Sequence, residues 1–229
     1  MSQPVPVSRR KVLYSISAVA GGLAAGTLGL PGTAQAAASL PRGKVTQNGW
    51  PTVGKDAVDR MSVEGSASRL ALLPGPTAVV LLHVARRFNY EIAELEKGDI
   101  QGWRNHPSIK APFETNYRSG TAIEIQANLY PTGSAGNLFA PQIALIRDIL
   151  MECEGVVRWA GDDQIPKEGH FQIDVLPGSD VLAKVAAKLR GWEEAPGAGP
   201  GAPVDPFSRD RRTASLNLER LQRSGRWRP

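Results

Sequence analysis

Cysteine is nearly absent from this chain, since Cys153 is the only one among its 229 residues. A single thiol excludes an intrachain disulfide, so the fold depends on its hydrophobic core, or on a core together with a metal. The chain also lacks a strongly apolar run of about 20 residues, which a transmembrane anchor needs. The G-x-S-x-G elbow of serine hydrolases is missing too, so Ser119 beside Gly120 is a weak nucleophile candidate.

Residues 1–36 have the features of a bacterial twin-arginine signal peptide. Arg9 and Arg10 precede a mildly apolar run, 12–30, which four glycines interrupt. An Ala-Gln-Ala motif then gives the small-x-small cleavage pattern. A membrane anchor is the alternative, and the glycine content argues against it. The sequence therefore predicts an exported protein that begins near Ala37 and folds, with any cofactor, before export.

The formal net charge of +5 is unevenly distributed along the chain. Three basic residues leave with the predicted signal, which reduces the net charge to +2. The segment 195–229 holds seven arginines against three acidic residues, so the body, 37–194, carries about −2. A body without a basic excess gives no reason to expect nucleic acid as a partner.

The segment 195–229 is predicted to be separate from the folded body. It opens with a Pro/Gly-rich linker that has too little apolar surface to fold, and its arginines then recur with a few leucines. We expect a disordered Arg-rich tail, with an arm attracted to anionic wall polymers or a membrane surface as the alternative. A short linker, 37–47, and one folded domain, 48–194, make up the rest.

Hydrophobic periodicity in the body predicts a mixture of helices and strands. Apolar residues at helical spacing indicate helices at 76–88, 141–153 and 179–189. Alternating patterns indicate strands at 90–95, 121–127, 156–159 and 170–175. Because these elements do not alternate as βαβ units, the sequence favours an α+β fold with a small antiparallel sheet flanked by helices. Cys153 lies on the apolar stripe of its helix and is expected in the core.

One segment resembles the signature of a known enzyme family. Residues 116–124 read Asn-Tyr-Arg-Ser-Gly-Thr-Ala-Ile-Glu. They are similar to the S-x-H-x-x-G-x-A-x-D motif of the zinc D-alanyl-D-alanine carboxypeptidases and related cell-wall endopeptidases, the VanY-like family. The likeness also includes Asn48-Gly-Trp-Pro, Gly155-Val-Val-Arg-Trp and His170-Phe-Gln-Ile, and covers roughly 48–176. It implies a D-Ala-D-Ala carboxypeptidase-like core and an enzyme that cuts the stem peptides of peptidoglycan.

The resemblance implies a zinc site at three positions. In the family, a His and an Asp seven residues apart and a later His bind zinc, and a nearby carboxylate takes a proton from zinc-bound water. Here the ligand positions hold Tyr117, Glu124 and His170, and the usual base position holds Lys167. Glu168 becomes the candidate base only if a bulge turns it inward, because neighbours on a strand face opposite ways.

These departures from the family pattern weigh against hydrolysis. The Glu124 carboxylate is one methylene longer than aspartate, and the Tyr117 phenol, with a pKa of about 10, must lose a proton to bind zinc well. In the family an arginine contacts the terminal carboxylate of the substrate. Arg104 is the nearest candidate for that role, and Arg118 is the alternative.

Three functions follow as hypotheses. The favoured one is a secreted or wall-associated protein with a degenerate zinc centre, which binds or regulates peptidoglycan through stem peptides or other wall polymers. The second is an active zinc metallopeptidase that uses the altered ligand set. The third is a structural envelope protein whose Arg-rich tail does the binding. His83 is expected to be a structural histidine, and His106 lies in a polar loop.

Overall fold

The computed structural model describes residues 45–195, 197–200, 202 and 204–225. The predicted signal segment, 1–36, lies outside these residues, as does the predicted start of the mature chain. All described residues belong to one compact unit. None of the helices among them is long and apolar enough to cross a membrane.

Strands and helices follow one another in an α+β order. They are β1 (Asp59–Ser62), β2 (Arg69–Leu72), α1 (Pro76–Glu91), β3 (Ile100–Gln101), β4 (Ala122–Ile125), α2 (Ala140–Glu152), β5 (Val157–Trp159), β6 (His170–Ile173), α3 (Asp180–Glu194) and α4 (Arg209–Arg223). Shorter 3-10 helices span Lys55–Ala57, Pro112–Ser119 and Ala160–Asp162. The class therefore agrees with the sequence: helices with two small antiparallel sheets.

The main sheet has the strand order β3-β4-β6-β5, and β1 pairs with β2 in a second sheet. In the main sheet Ile123 lies opposite Phe171, and Glu124 lies opposite His170. Because successive side chains point to opposite faces, the first pair faces one side of the sheet and the second pair faces the other. The Phe171 ring meets the Phe88 ring of α1 edge-on at 6.4 Å, so α1 covers the apolar face. Glu124 and His170 are left on the opposite, polar face.

The helices begin where local chemistry favours them. Pro76 opens α1, where a missing N–H costs nothing. The Ser179 hydroxyl accepts a hydrogen bond from the Leu182 N–H and starts α3. Cys153 follows α2 and is fully buried, as predicted. Burial raises the pKa of its thiol to about 12, so Cys153 is an inert core residue.

The strand predicted over 90–95 is wrong. Helix α1 continues to Glu91, which pairs with Arg87 one turn earlier. The chain then turns, and the Asn89 side-chain oxygen accepts a hydrogen bond from the Leu95 N–H at 2.8 Å. Leu95 is buried from a loop. The alternating apolar pattern over 90–95 therefore comes from the end of a helix followed by a turn, and not from a strand.

The expectation of a disordered tail is wrong for α4. Its Leu218 is buried, and Gln222 donates a hydrogen bond to the Val157 carbonyl at 2.8 Å, so the C-terminal end of α4 reaches the outer edge of β5. Arg211 pairs with Asp148 and Glu152 of α2, both at 2.6 Å. Ion pairs and hydrogen bonds therefore hold a helix that has too little apolar surface to be recognised from its sequence.

Candidate functional site

The polar face of the main sheet carries the candidate site. The 3-10 helix Pro112–Ser119 lies against this face and brings Tyr117 to His170, with 2.6 Å between the phenol oxygen and Nδ1. The Phe113 ring lies 4.6 Å from the imidazole centroid. Glu124 is the cross-strand neighbour of His170. The structure thus gathers the three side chains at the predicted ligand positions.

A tight turn after the 3-10 helix sets this geometry. Gly120 has a φ of 68°, and a Cβ there would stand 2.7 Å from the Leu73 nitrogen, so the turn requires glycine. The Ser119 hydroxyl donates to the Asn116 carbonyl at 2.8 Å and lies 2.7 Å from the Thr121 hydroxyl. Ser119 is therefore a buried structural residue of the turn.

His170 is neutral, and both of its ring nitrogens are occupied. Its Nε2 lies 2.9 Å from the side-chain oxygen of Gln172, which accepts, so Nε2 carries the proton. Nδ1 then accepts from the Tyr117 hydroxyl. Burial lowers the pKa of His170 to about 4. Burial also raises the pKa of Tyr117, and the charge of Glu124 raises it further, so the phenol keeps its proton.

Four charged side chains surround Tyr117, and we call them the charge cluster. Lys167 contacts Glu124 and lies 2.7 Å from a Glu114 oxygen. An Arg104 Nη lies 2.6 Å from the other Glu124 oxygen, and its guanidinium stacks 3.9 Å from the centre of the Tyr117 ring. Two cations and two carboxylates balance, so the cluster has no net charge.

Both carboxylates of the charge cluster are ionised at neutral pH. Burial alone would raise the pKa of Glu114, but the hydrogen bond from Lys167 and those from the backbone of Lys110 and Ala111 hold it at about 2. Burial likewise opposes ionisation of Glu124, and Lys167 and Arg104 outweigh it, so the pKa of Glu124 is lowered. Lys167 is thus the shared counter-ion of both acids.

This donor set does not fit zinc as it is arranged. Zinc needs ligands with free lone pairs. Glu124 is occupied by two cations, His170 by two hydrogen bonds, and Tyr117 remains protonated. Within the described residues, no three His, Cys, Asp or Glu side chains are grouped so that they could hold a metal ion. A dication would have to displace Lys167 and Arg104 from this site.

Glu168, the candidate base, is not brought to the cluster. Its carboxylate accepts three hydrogen bonds at 2.9 Å, from the Gly136 N–H and from the backbone and side chain of Asn137. Glu168 lies in a turn that the hydrogen bond from the His170 N–H to the Lys167 carbonyl closes at 3.0 Å, so the alternation of a strand does not apply to it. Glu168 therefore anchors the loop before α2.

The remaining candidates lie elsewhere. His83 is buried in α1 and lies 2.9 Å from Glu152, as expected for a structural histidine. His106 is exposed in the loop after β3. The backbone carbonyl of Arg118 accepts from the Val53 N–H at 3.0 Å. Of the two arginines considered for a carboxylate contact, Arg104 is the one that pairs with Glu124.

Sequence reasoning missed Glu114 and Gln172. Glu114 precedes Tyr117 by three residues, which in a 3-10 helix places both on one side. Gln172 follows His170 by two residues, which places both on one face of β6. The spacing within each pair was therefore informative, but no helix over Pro112–Ser119 was predicted from the sequence.

A cavity of about 250 Å³ opens beside the charge cluster. Arg104, Ser108, Lys110 and Lys167 supply donors to it, Pro131 and Ala127 supply apolar wall, and the ion-paired Glu114 and Glu124 line it as well. Comparison of the chain with protein-family models, with curated proteins and with solved structures finds no significant match.

Proposed function

We propose that this chain is an exported protein with a carboxypeptidase-like core, whose degenerate centre binds peptidoglycan stem peptides without cleaving them. The observation that carries the proposal is Lys167, whose ammonium contacts two buried carboxylates. The motif resemblance assigns the base to the position of Lys167 and a metal ligand to the position of Glu124. An internal cation neutralises those acids permanently. It has no open coordination position and cannot activate water as a metal ion does.

The cavity beside the charge cluster supports recognition of a peptide carboxylate. One Arg104 Nη pairs with Glu124, and the other lies 3.4 Å from Gln101, which is at the limit of a hydrogen bond. That second nitrogen retains capacity for a ligand oxygen. Lys110 stands at the exposed rim. Stem peptides end in a carboxylate, which an arginine and a lysine together bind well.

The test separates loss of hydrolysis from loss of binding. The protein without 1–36 is incubated with zinc, dialysed and analysed for metal, and a muropeptide ending in D-Ala-D-Ala is then titrated calorimetrically. We expect no retained zinc, an uncleaved muropeptide, and measurable binding. Arg104→Gln should weaken binding by about tenfold or more, because a hydrogen bond to a charged group contributes about 1.5–3 kcal/mol. Arg190→Gln, on the exposed side of α3, is the control and should bind normally.

Two results would reject this function. One zinc per chain, lost in His170→Ala together with muropeptide cleavage, would establish the active metallopeptidase with Tyr117 and Glu124 as ligands. A folded protein that neither retains zinc nor binds the muropeptide would leave the cavity without the proposed role.

A further inference from the structure

A second, larger groove lies next to the candidate site. Its volume is about 540 Å³, and it runs between the two-stranded sheet and the segment around β3. Five of the side chains that line it are basic, and none is acidic: Lys55, Arg60, Arg69, Lys97 and Arg104. We call it the basic groove. Its floor is mainly apolar and includes Val58 and Trp103.

The small sheet places two of these arginines side by side. Arg60 lies opposite Ala71 in the register of β1 and β2, so Arg69, two residues before Ala71, is its diagonal neighbour on the same face. Asp59 is adjacent to Arg60 in sequence and therefore points to the opposite face. Arg69 reaches across the strands and donates to the Arg60 carbonyl at 3.4 Å. Two guanidinium groups thus share one face.

The positive charge of the basic groove is largely uncompensated. Of its five basic residues, only Arg104 has a carboxylate within 4.0 Å among the described residues. The nearby Asp99 is engaged by the Glu96 N–H at 3.1 Å. Like charges on one sheet face repel, and a bound anion would remove that repulsion. The body's net charge of about −2 conceals this local excess.

We propose that the basic groove binds an extended polyanion built from phosphodiester-linked polyols. Several cations along one groove require a ligand with repeated charges, and guanidinium groups pair with phosphate through two hydrogen bonds. The apolar floor suits the carbon backbone of a polyol. A concave shape fits a chain better than a flat bilayer. The Ala71 carbonyl already accepts from the Trp103 N–H at 2.7 Å, which closes that backbone position to an added peptide strand.

The test uses a fluorescent poly(glycerol phosphate) oligomer and the whole exported protein. Fluorescence anisotropy at several salt concentrations should show binding that weakens steeply with salt, as counterion release requires. Arg60→Gln with Arg69→Gln should reduce affinity by about tenfold or more and lessen the salt dependence. Arg190→Gln with Arg212→Gln removes the same charge from exposed helical sites and should change affinity less than about twofold.

Other probes decide the class of ligand. Polyglutamate, oligothymidylate and anionic vesicles of matched charge should each bind more weakly than the glycerol phosphate oligomer. Tighter binding of any of them, or equal losses in the two double variants, would overturn the proposal. The double variant Arg60→Gln with Arg69→Gln should bind the muropeptide with the same affinity as the unsubstituted protein. Failure of the polyanion proposal can therefore be distinguished from failure of the stem-peptide function.

Discussion

Lys167 is the residue on which the charge balance of the candidate site depends. It is 5 % exposed and lies against two carboxylates that are themselves buried. Removing one partner of a buried ion pair leaves an uncompensated charge, which is far more costly than losing a surface pair. At the scale of residues, one lysine neutralises two buried acids, which makes it a structural requirement of the site.

Lys167→Ala should lower the free energy of unfolding by about 3 kcal/mol, since Glu114 then loses its counter-ion in a buried position. Urea denaturation monitored by circular dichroism measures this change. Lys184→Ala, at an exposed position of α3, should stay within about 0.5 kcal/mol of the unsubstituted protein. Equal stability of the two variants would contradict the role given to the charge cluster.

At the scale of elements, α4 is attached by charge. Arg211 contacts Asp148 and Glu152, while Arg87 of α1 reaches the same two acids at 2.9 and 2.8 Å. Arg211 thereby joins α4 to an ion-pair network that links α1 and α2. The pKa of Glu152 is held at about 2: burial opposes ionisation, and the hydrogen bond with His83 and the charge of Arg87 outweigh it.

Arg211→Ala should destabilise the protein by about 2 kcal/mol, because Asp148 and Glu152 lose a hydrogen-bonded cation. Arg212→Ala is the matched control: the neighbouring residue is exposed and should change stability by less than about 0.5 kcal/mol. Thermal denaturation measures both. Hydrogen exchange at β5 should also rise in Arg211→Ala if α4 protects that strand, and unchanged exchange would contradict its covering role.

Helices and strands with strong periodicity could be predicted from the sequence, and those that depend on distant partners could not. The pattern that ends at Phe88 and the alternation in β4 reflect burial against one core, so local residues carry the signal. Helix α4 depends on acids in α2, and the 3-10 helix that carries Tyr117 depends on docking against β6. In both cases the partner is distant in sequence, so the residues of the helix itself do not indicate the contact.

The positions of the candidate site residues could be predicted from the sequence, but the contacts that their side chains make could not. The resemblance to the carboxypeptidase motif identified Tyr117, Glu124 and His170, which the structure brings together. Their engagement was not predictable, since the contact of Lys167 with Glu114 joins residues 53 apart in sequence. The face to which Glu168 points likewise depends on its loop partners around Asn137.

For the whole molecule, depressed carboxylate pKa values predict sensitivity to acid. The folded protein holds the pKa of Glu114 at about 2, against an ordinary value of 4.5. Its contribution to stability is therefore present above pH 4.5 and is lost as the pH falls towards 2. Glu152 acts in the same direction. The loss attributable to Glu114 is up to about 3 kcal/mol.

Thermal midpoints between pH 6 and pH 2.5 (about the range of these titrations) test this dependence. Glu114→Gln should be less stable than the unsubstituted protein at pH 6 but should lose less further stability below pH 4.5. Glu94→Gln, at an exposed position, should follow the unsubstituted curve. Parallel curves for Glu114→Gln and the unsubstituted protein would exclude Glu114 as a source of the acid sensitivity.

The hydrogen bond between α4 and β5 has a consequence for biosynthesis. The ribosome completes every strand of the main sheet before it makes Gln222, whose side chain caps the Val157 carbonyl. Until then β5 presents an open edge to neighbouring nascent chains. The edge of β5 at Val157 is therefore closed only after α4 has been made, however early the four strands of the main sheet pair with one another.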